Sequence, residues 1–185
     1  MQPQAELLSS LDADHESQVG RSSRRCESGQ RWQWDGVAFE VLHPRGADYA
    51  AAGKPNAMTC VLRVGNGRRT ALLAGDIEPP QEARLAAGEA DGLKADVLLV
   101  PHHGSKTSSS DGFLEAVRPS IALLQTGYRN RFGHPAVAVM DRYRSRGIAV
   151  IDAPHCGAAL WRSAAPGEVT CQRESAPHYW QHRAP

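Results

Sequence analysis

Leu72-Leu73-Ala74-Gly75-Asp76 and Leu98-Leu99-Val100-Pro101-His102-His103-Gly104-Ser105 are the two stretches on which the reading of this chain turns. Each opens as a continuous apolar run of the length of a buried strand, and each stops on residues that bind protons or metal ions. The first ends on a carboxylate preceded by a glycine that lets the backbone come close to whatever the aspartate holds. The second ends on two adjacent imidazoles. Carboxylate and imidazole at the ends of two strands of one sheet suit Zn²⁺ or Mn²⁺.

Outward from these runs, the pattern alternates between strand and helix. Upstream, Met58 to Val64 and Thr70 to Ala74 flank Gly65-Asn66-Gly67, which supplies the positive-φ residues of a tight hairpin. Before that, Val37, Phe39 and Val41 interleave with Ala38, Glu40 and Leu42 as a strand that Pro44 ends. Downstream, Pro79-Pro80 starts a helix that Gly88 ends. Asp96 to Val100 reads as a buried strand. Gly112 to Val117 reads as a helix, Ser120 to Leu124 as a strand, and Ala136 to Arg146 as a helix ended by Gly147. Ile148 to Ile151 and Ala158 to Trp161 close the series as strands. A hairpin followed by strands alternating with helices predicts an α/β (α+β layered) fold with a mixed sheet.

The margins read differently. Residues 1–30 form a polar connector with one short amphipathic piece, Ala5 to Leu11, that would close a helix. Residues 31–163 hold the fold signal. The Pro-, Ser-, His- and Arg-rich stretch 164–185 reads as a flexible tail.

The 185 residues suffice for one domain with a real core. Apolar residues make up 41% and charged residues 22%, which excludes a mainly disordered or collagen-like chain. No apolar run approaches the ~20 residues of a spanning helix. The 21 Lys and Arg against 20 Asp and Glu give a net charge of +1, so any attraction for nucleic acid must be local. Arg21, Arg24, Arg25 and Arg31 make one cationic group; Arg129, Arg131, Arg142, Arg144 and Arg146 make another. Cys26, Cys60, Cys156 and Cys171 are widely spaced, without the density of a disulfide scaffold. Gly104-Ser105-Lys106 lacks the spacing of a phosphate-binding P-loop, and no G-x-S-x-G serine elbow occurs.

LLAGDIEPP, VLLVPHHGSKTSSS and TGYRNRFGHP, in that order and preceded by GQRWQWDGVAFEVLHP, together resemble the metallo-β-lactamase-like C-terminal domain of ComEC, a family of DNA-internalisation competence proteins. The resemblance runs from about Leu7 to Trp161 and implies an αββα sandwich. It implies Asp76 as a metal ligand and His102 or His103 as another, with His102 favoured because it is nearer the strand end. It implies a pocket lined by Ser105, Lys106, Asn130 and Arg131, where Lys106 and Arg131 hold phosphate oxygens, and His134 as a catalytic proton carrier beside Asp76. The resemblance further implies Zn or Mn as the metal and phosphodiester hydrolysis of DNA during uptake as the chemistry. The implied partners are DNA and a membrane channel region, on the parent protein or a separate polypeptide. The implied location is a soluble domain attached to a bacterial inner membrane.

One departure stands beside the match. The early H-x-H-x-D-H box of this superfamily, H-x-D-x-D-H in relatives of ComEC, has no intact copy here. Ser10-Leu11-Asp12-Ala13-Asp14-His15 imitates its second half only, with no strand before it. The expectation is a sandwich lacking its first strands and helix, with weak metal binding and a sheet edge open to self-association. A catalytically inactive binding or scaffold module is the alternative expectation.

Overall fold

The computed structural model describes residues 6–12, 14–50, 54–88 and 92–180. Two short strands, β1 (Leu7–Ser9) and β2 (Ser23–Arg25), pair in parallel near the amino end. The alternation that follows builds an antiparallel meander. β3 (Arg31–Trp34) and β4 (Val37–His43) are joined by Asp35 and Gly36, both at positive φ, as a two-residue hairpin of that hand requires. β5 (Val61–Gly65) and β6 (Thr70–Leu73) form the second hairpin, in which Asn66 Oδ1 accepts the N–H groups of Arg68 and Arg69.

From β6 the period changes and the connections become crossovers. α1 (Pro79–Ala86) begins on two prolines, whose missing N–H groups cost nothing there. β7 (Val97–Leu99), α2 (Asp111–Val117), β8 (Ile121–Leu124), α3 (Val137–Ser145) and β9 (Ala149–Asp152) follow. The main sheet has seven strands in the order β3-β4-β5-β6-β7-β8-β9, antiparallel up to β6 and parallel from β6 to β9. The parallel strands therefore present all their carboxyl ends on one rim, where ligands of α/β sheets gather.

The core lies on one face of this sheet. Leu72, Ala74, Leu98, Val100, Ala122 and Leu124 pack against Phe113, Leu114 and Val117 of α2 and Val139 and Tyr143 of α3. Each large apolar side chain so buried is worth ~1.5–3 kcal/mol. On the other face the register aligns Leu62, Leu73, Leu99, Leu123 and Ile151 in one row, and Leu73 is 39% exposed. That row makes a partly exposed apolar face on the side of the sheet away from α2 and α3. No helix among the described residues is long and apolar enough to cross a membrane.

The margins depart from the sequence expectation. Leu7–Ser9 is a strand rather than the end of a helix, because its N–H and C=O groups find partners in 22–26; Ala5 lies outside the described residues. After α4 (Ala153–Cys156) the expected closing strand is present as β10 (Ala159–Arg162), and the expected tail holds β11 (Ala165–Cys171) and α5 (Gln172–Ser175). β10 and β11 pair in an antiparallel ladder, and disulfides join Cys156 to Cys171 and Cys26 to Cys60. The polar composition of 164–185 concealed a strand whose stability comes from its partner and the crosslink. Residues 181–185, including His182, lie outside the described residues.

Candidate functional site

The rim at the carboxyl ends of β6 and β7 carries the predicted groups. After β6 the chain turns at Gly75, where φ is +58° and an added Cβ would lie 2.1 Å from Thr59 Cγ2. Only glycine fits that turn, and it delivers Asp76 to the rim. After β7, His102, His103 and Gly104 take three consecutive left-handed conformations, with φ of 47°, 54° and 74°. Two non-glycine residues in that region are held against their intrinsic preference. The His102 N–H donates to the Gly75 carbonyl at 2.8 Å, which ties the two turns together, and the Ala136 N–H donates to the Gly104 carbonyl at 2.8 Å.

The result is convergence. His103 Nε2 stands 3.5 Å from Asp76 Oδ1. His103 Nδ1 donates to the Gln125 carbonyl at 2.6 Å, since a carbonyl can only accept. Nε2 is thereby the ring nitrogen turned toward the carboxylate, and a metal-ligating histidine is likewise oriented through its other nitrogen. His102 is engaged otherwise: the Asn56 amide donates to its Nε2 at 3.2 Å, and its buried Nδ1, 3.8 Å from Glu78 Oε1, has no hydrogen-bond partner. Of the two imidazoles, the structure sets His103, rather than the His102 favoured from the sequence, beside Asp76. Nearness to the strand end counted for less than the left-handed backbone that turns each ring.

His134 completes the imidazole group. Its ring lies edge-on to His102 with centroids 6.0 Å apart, and near-parallel to Phe132 at 5.8 Å. Burial, helped by the neighbouring His102 and His103, holds its pKa below the usual histidine value, so it is a neutral proton acceptor near pH 7. A cavity of about 460 Å³ opens here, lined by His103, Gln125, Asn130, Phe132 and His134 among others.

The expected substrate-binding residues divide. Lys106 is exposed, and exposed Arg131 lies with its guanidinium 4.9 Å from the Phe132 ring. Asn130 lines the cavity, yet its side chain is committed to its own loop, donating to the Gly127 and His134 carbonyls and accepting from the Phe132 and His134 N–H groups. Ser105 is buried and pairs with Thr107 Oγ1 at 3.2 Å. The fully buried Glu82 carboxylate accepts the N–H groups of Ser109 and Ser110 at the start of α2. Glu82, Gln125, Asn56 and Glu78 were all missed, since each acts through a contact between distant segments. Only Glu78, two residues after Asp76, had a local signal. In the box-like segment, His15 caps a local turn through the Ser17 N–H, and Ala13 lies outside the described residues.

No family model matches the chain. Competence protein ComA of Neisseria gonorrhoeae is 40% identical over 162 residues, which are 87% of this chain and 23% of that protein. Recombination protein 2 of Haemophilus influenzae is 38% identical over 117 residues, 63% of this chain and 14% of that protein. The chain belongs to the ComEC-like family of competence proteins. This ComEC-like domain spans less than a quarter of the length of these curated relatives. Among solved structures, the metallo-beta-lactamase fold protein YhfI from Bacillus subtilis superposes with a TM-score of 0.40 at 10% identity, over 71% of this chain and 52% of that one.

The donor set sets a limit. A hydrolytic zinc centre takes three or more protein ligands. Among the described residues no group of three or more His, Cys, Asp or Glu side chains is placed to hold an ion. Asp76 and His103 are two donors of the right chemistry, and by themselves they do not make such a centre.

Proposed function

We propose that this ComEC-like domain is part of a hydrolase acting on DNA phosphodiesters, in which Asp76 and His103 are ligands of a Zn or Mn site that further donors complete. The observation that supports this is the approach of His103 Nε2 to Asp76 at 3.5 Å with Nδ1 already fixed by Gln125. In this reading Lys106 and Arg131 neutralise phosphate charge at the rim, and His134, held neutral, takes up a proton. The partners are DNA and a membrane channel region, and the row of Leu62, Leu73, Leu99, Leu123 and Ile151 packs against further layers of the domain or a second copy.

The two-donor set favours a second reading, a binding or scaffold module that keeps the sheet and the pocket without hydrolysis. Metal content after loading with Zn²⁺ or Mn²⁺, measured with nuclease activity, decides between them. Under the first reading Asp76→Ala and His103→Ala lose metal and cleavage, while His102→Ala keeps metal. Equal cleavage by wild type and Asp76→Ala ends the hydrolase reading and leaves the second.

A further inference from the structure

The helix-covered face of the sheet holds a separate cavity at its antiparallel end. Strand register sets Arg31, Glu40 and Arg63 abreast on β3, β4 and β5, on the face where Leu72 enters the core. A cavity of about 370 Å³ opens there between these strands and the end of α1, and Arg31, Arg45, Arg63 and Arg84 line it with Glu40 and His43. Its volume falls within the ~300–1,000 Å³ of small-molecule sites. It shares no lining residue with the cavity at His103 and His134.

Two of the four guanidinium groups already have partners. Arg31 Nε donates to Glu40 Oε1 at 2.9 Å, and Arg84 Nη1 donates to Asp48 Oδ1 at 2.6 Å. Arg45 and Arg63 form no ion pair among the described residues; Glu89 and Asp91 lie outside them. Arg63 Nε is moreover buried and has no hydrogen-bond partner. A buried donor on a cation is destabilising while it goes unmet. A water molecule can accept that hydrogen bond, but it brings no countercharge. His43 leaves the balance unchanged, because burial holds its pKa below the usual histidine value and the ring is neutral near pH 7.

Four cations against the Glu40 and Asp48 carboxylates leave two positive charges, beside an apolar wall of Leu42, Leu85 and Leu93. A phosphate monoester carries about −1.5 to −2 charge near pH 7 and presents three acceptor oxygens. One edge of a guanidinium binds two such oxygens at once. A carboxylate or a backbone phosphodiester brings only a single charge. We propose that this cavity binds a phosphate monoester dianion, either inorganic phosphate or the phosphate of a mononucleotide, through Arg45 and Arg63. The three leucines then face the organic part of a mononucleotide. The inference goes beyond the hydrolase reading and stands without it.

The test is isothermal titration of inorganic phosphate, and separately of a nucleoside 5′-monophosphate, into the full chain at low salt in chelator. Millimolar affinity or tighter is expected for the phosphate group. Tighter binding of the mononucleotide assigns the site to nucleotides, and equal affinities assign it to the free ion. Arg63→Met and Arg45→Gln should each weaken binding about tenfold or more, since each removes a charge-assisted contact. Arg45 is exposed, so its variant keeps the fold. Arg63→Met should leave the urea midpoint unchanged or raised, because no protein acceptor loses its donor. Arg21→Gln/Arg24→Gln, which removes charge elsewhere, should leave affinity within about twofold. The proposal is overturned if wild type binds neither compound, if Arg63→Met binds as tightly as wild type, or if the distant charge pair weakens binding equally. A lowered urea midpoint for Arg63→Met assigns that guanidinium to the fold and likewise overturns it. A chain that binds phosphate but cleaves nothing when loaded with metal keeps this site and loses the hydrolase reading.

Discussion

The two rims of the parallel sheet are built from the same strands and solve opposite problems. At the carboxyl rim, backbone is forced into left-handed conformations at Gly75 and from His102 to Gly104, and polar groups are locked one on another. At the amino rim, the side chains are arginines and a lysine drawn from β5, the turn after it, the approach to β7 and the left-handed end of α2 at Arg118, and most of them reach solvent. Holding the His103 ring against the Asp76 carboxylate takes a rigid backbone, whereas exposed cations at a rim need no fixed geometry. The carboxyl rim should therefore be expensive to perturb in stability, and the amino rim nearly free.

The largest effect is expected at Gly75. In Gly75→Val the side chain meets Thr59 and the residue must hold φ of +58°, so unfolding free energy should fall by about 3 kcal/mol or more. Urea denaturation reads this directly, and an unchanged midpoint would remove the claim that the turn demands glycine. Next is Glu82→Ala, which leaves the Ser109 and Ser110 N–H groups without their acceptor. A loss of about 2–3 kcal/mol is expected, since the carboxylate is fully buried. Tyr143 reports on the same network: burial, despite its bond to Ser109, pushes the phenol well above its usual pKa, so its ultraviolet titration should appear only on alkaline unfolding.

A smaller contrast comes from acid. His43 is buried with Nε2 donating to the Ala57 carbonyl at 2.8 Å, and desolvation lowers its pKa below 6.5 despite that bond and Asp48 nearby. The unfolded chain then binds a proton first as pH falls. Stability from this group is complete above pH ~6.5 and is lost as pH drops from there through the depressed folded value. Urea midpoints measured between pH 7.5 and 5 should fall, and His43→Gln should flatten that part of the curve; an equal slope in both proteins would assign the acid sensitivity elsewhere.

The smallest effect belongs to the amino rim. Arg68→Gln should change stability by less than about 0.5 kcal/mol, as exposed substitutions do. A larger loss would show that these cations hold the fold together, and the contrast between the rims would fail.

Much of the sheet was legible because its periods are local. The alternation in 37–43, the Gly-Asn-Gly turn before Thr70, and the apolar run ending at Val100 each specify an element within a few residues, and the motif order pointed to the ComEC-like family. What was missed depends on distant partners. β11 is polar in composition and stands on β10 and a crosslink. The α2 start is held by Glu82 from another helix, a contact between segments far apart in the chain.

By itself the sequence determined that a carboxylate and two imidazoles follow two buried strands, because strand length and chain punctuation are properties of neighbouring residues. Only the tertiary structure decided which imidazole faces Asp76. That choice follows from three left-handed residues and a carbonyl at the end of β8, and a hydrogen bond across twenty-two residues leaves no periodic trace in the chain. It also gathered Arg63, Arg68, Lys94 and Arg118 from four separate segments into one groove, since adjacent parallel strands begin on the same rim however far apart they lie in sequence.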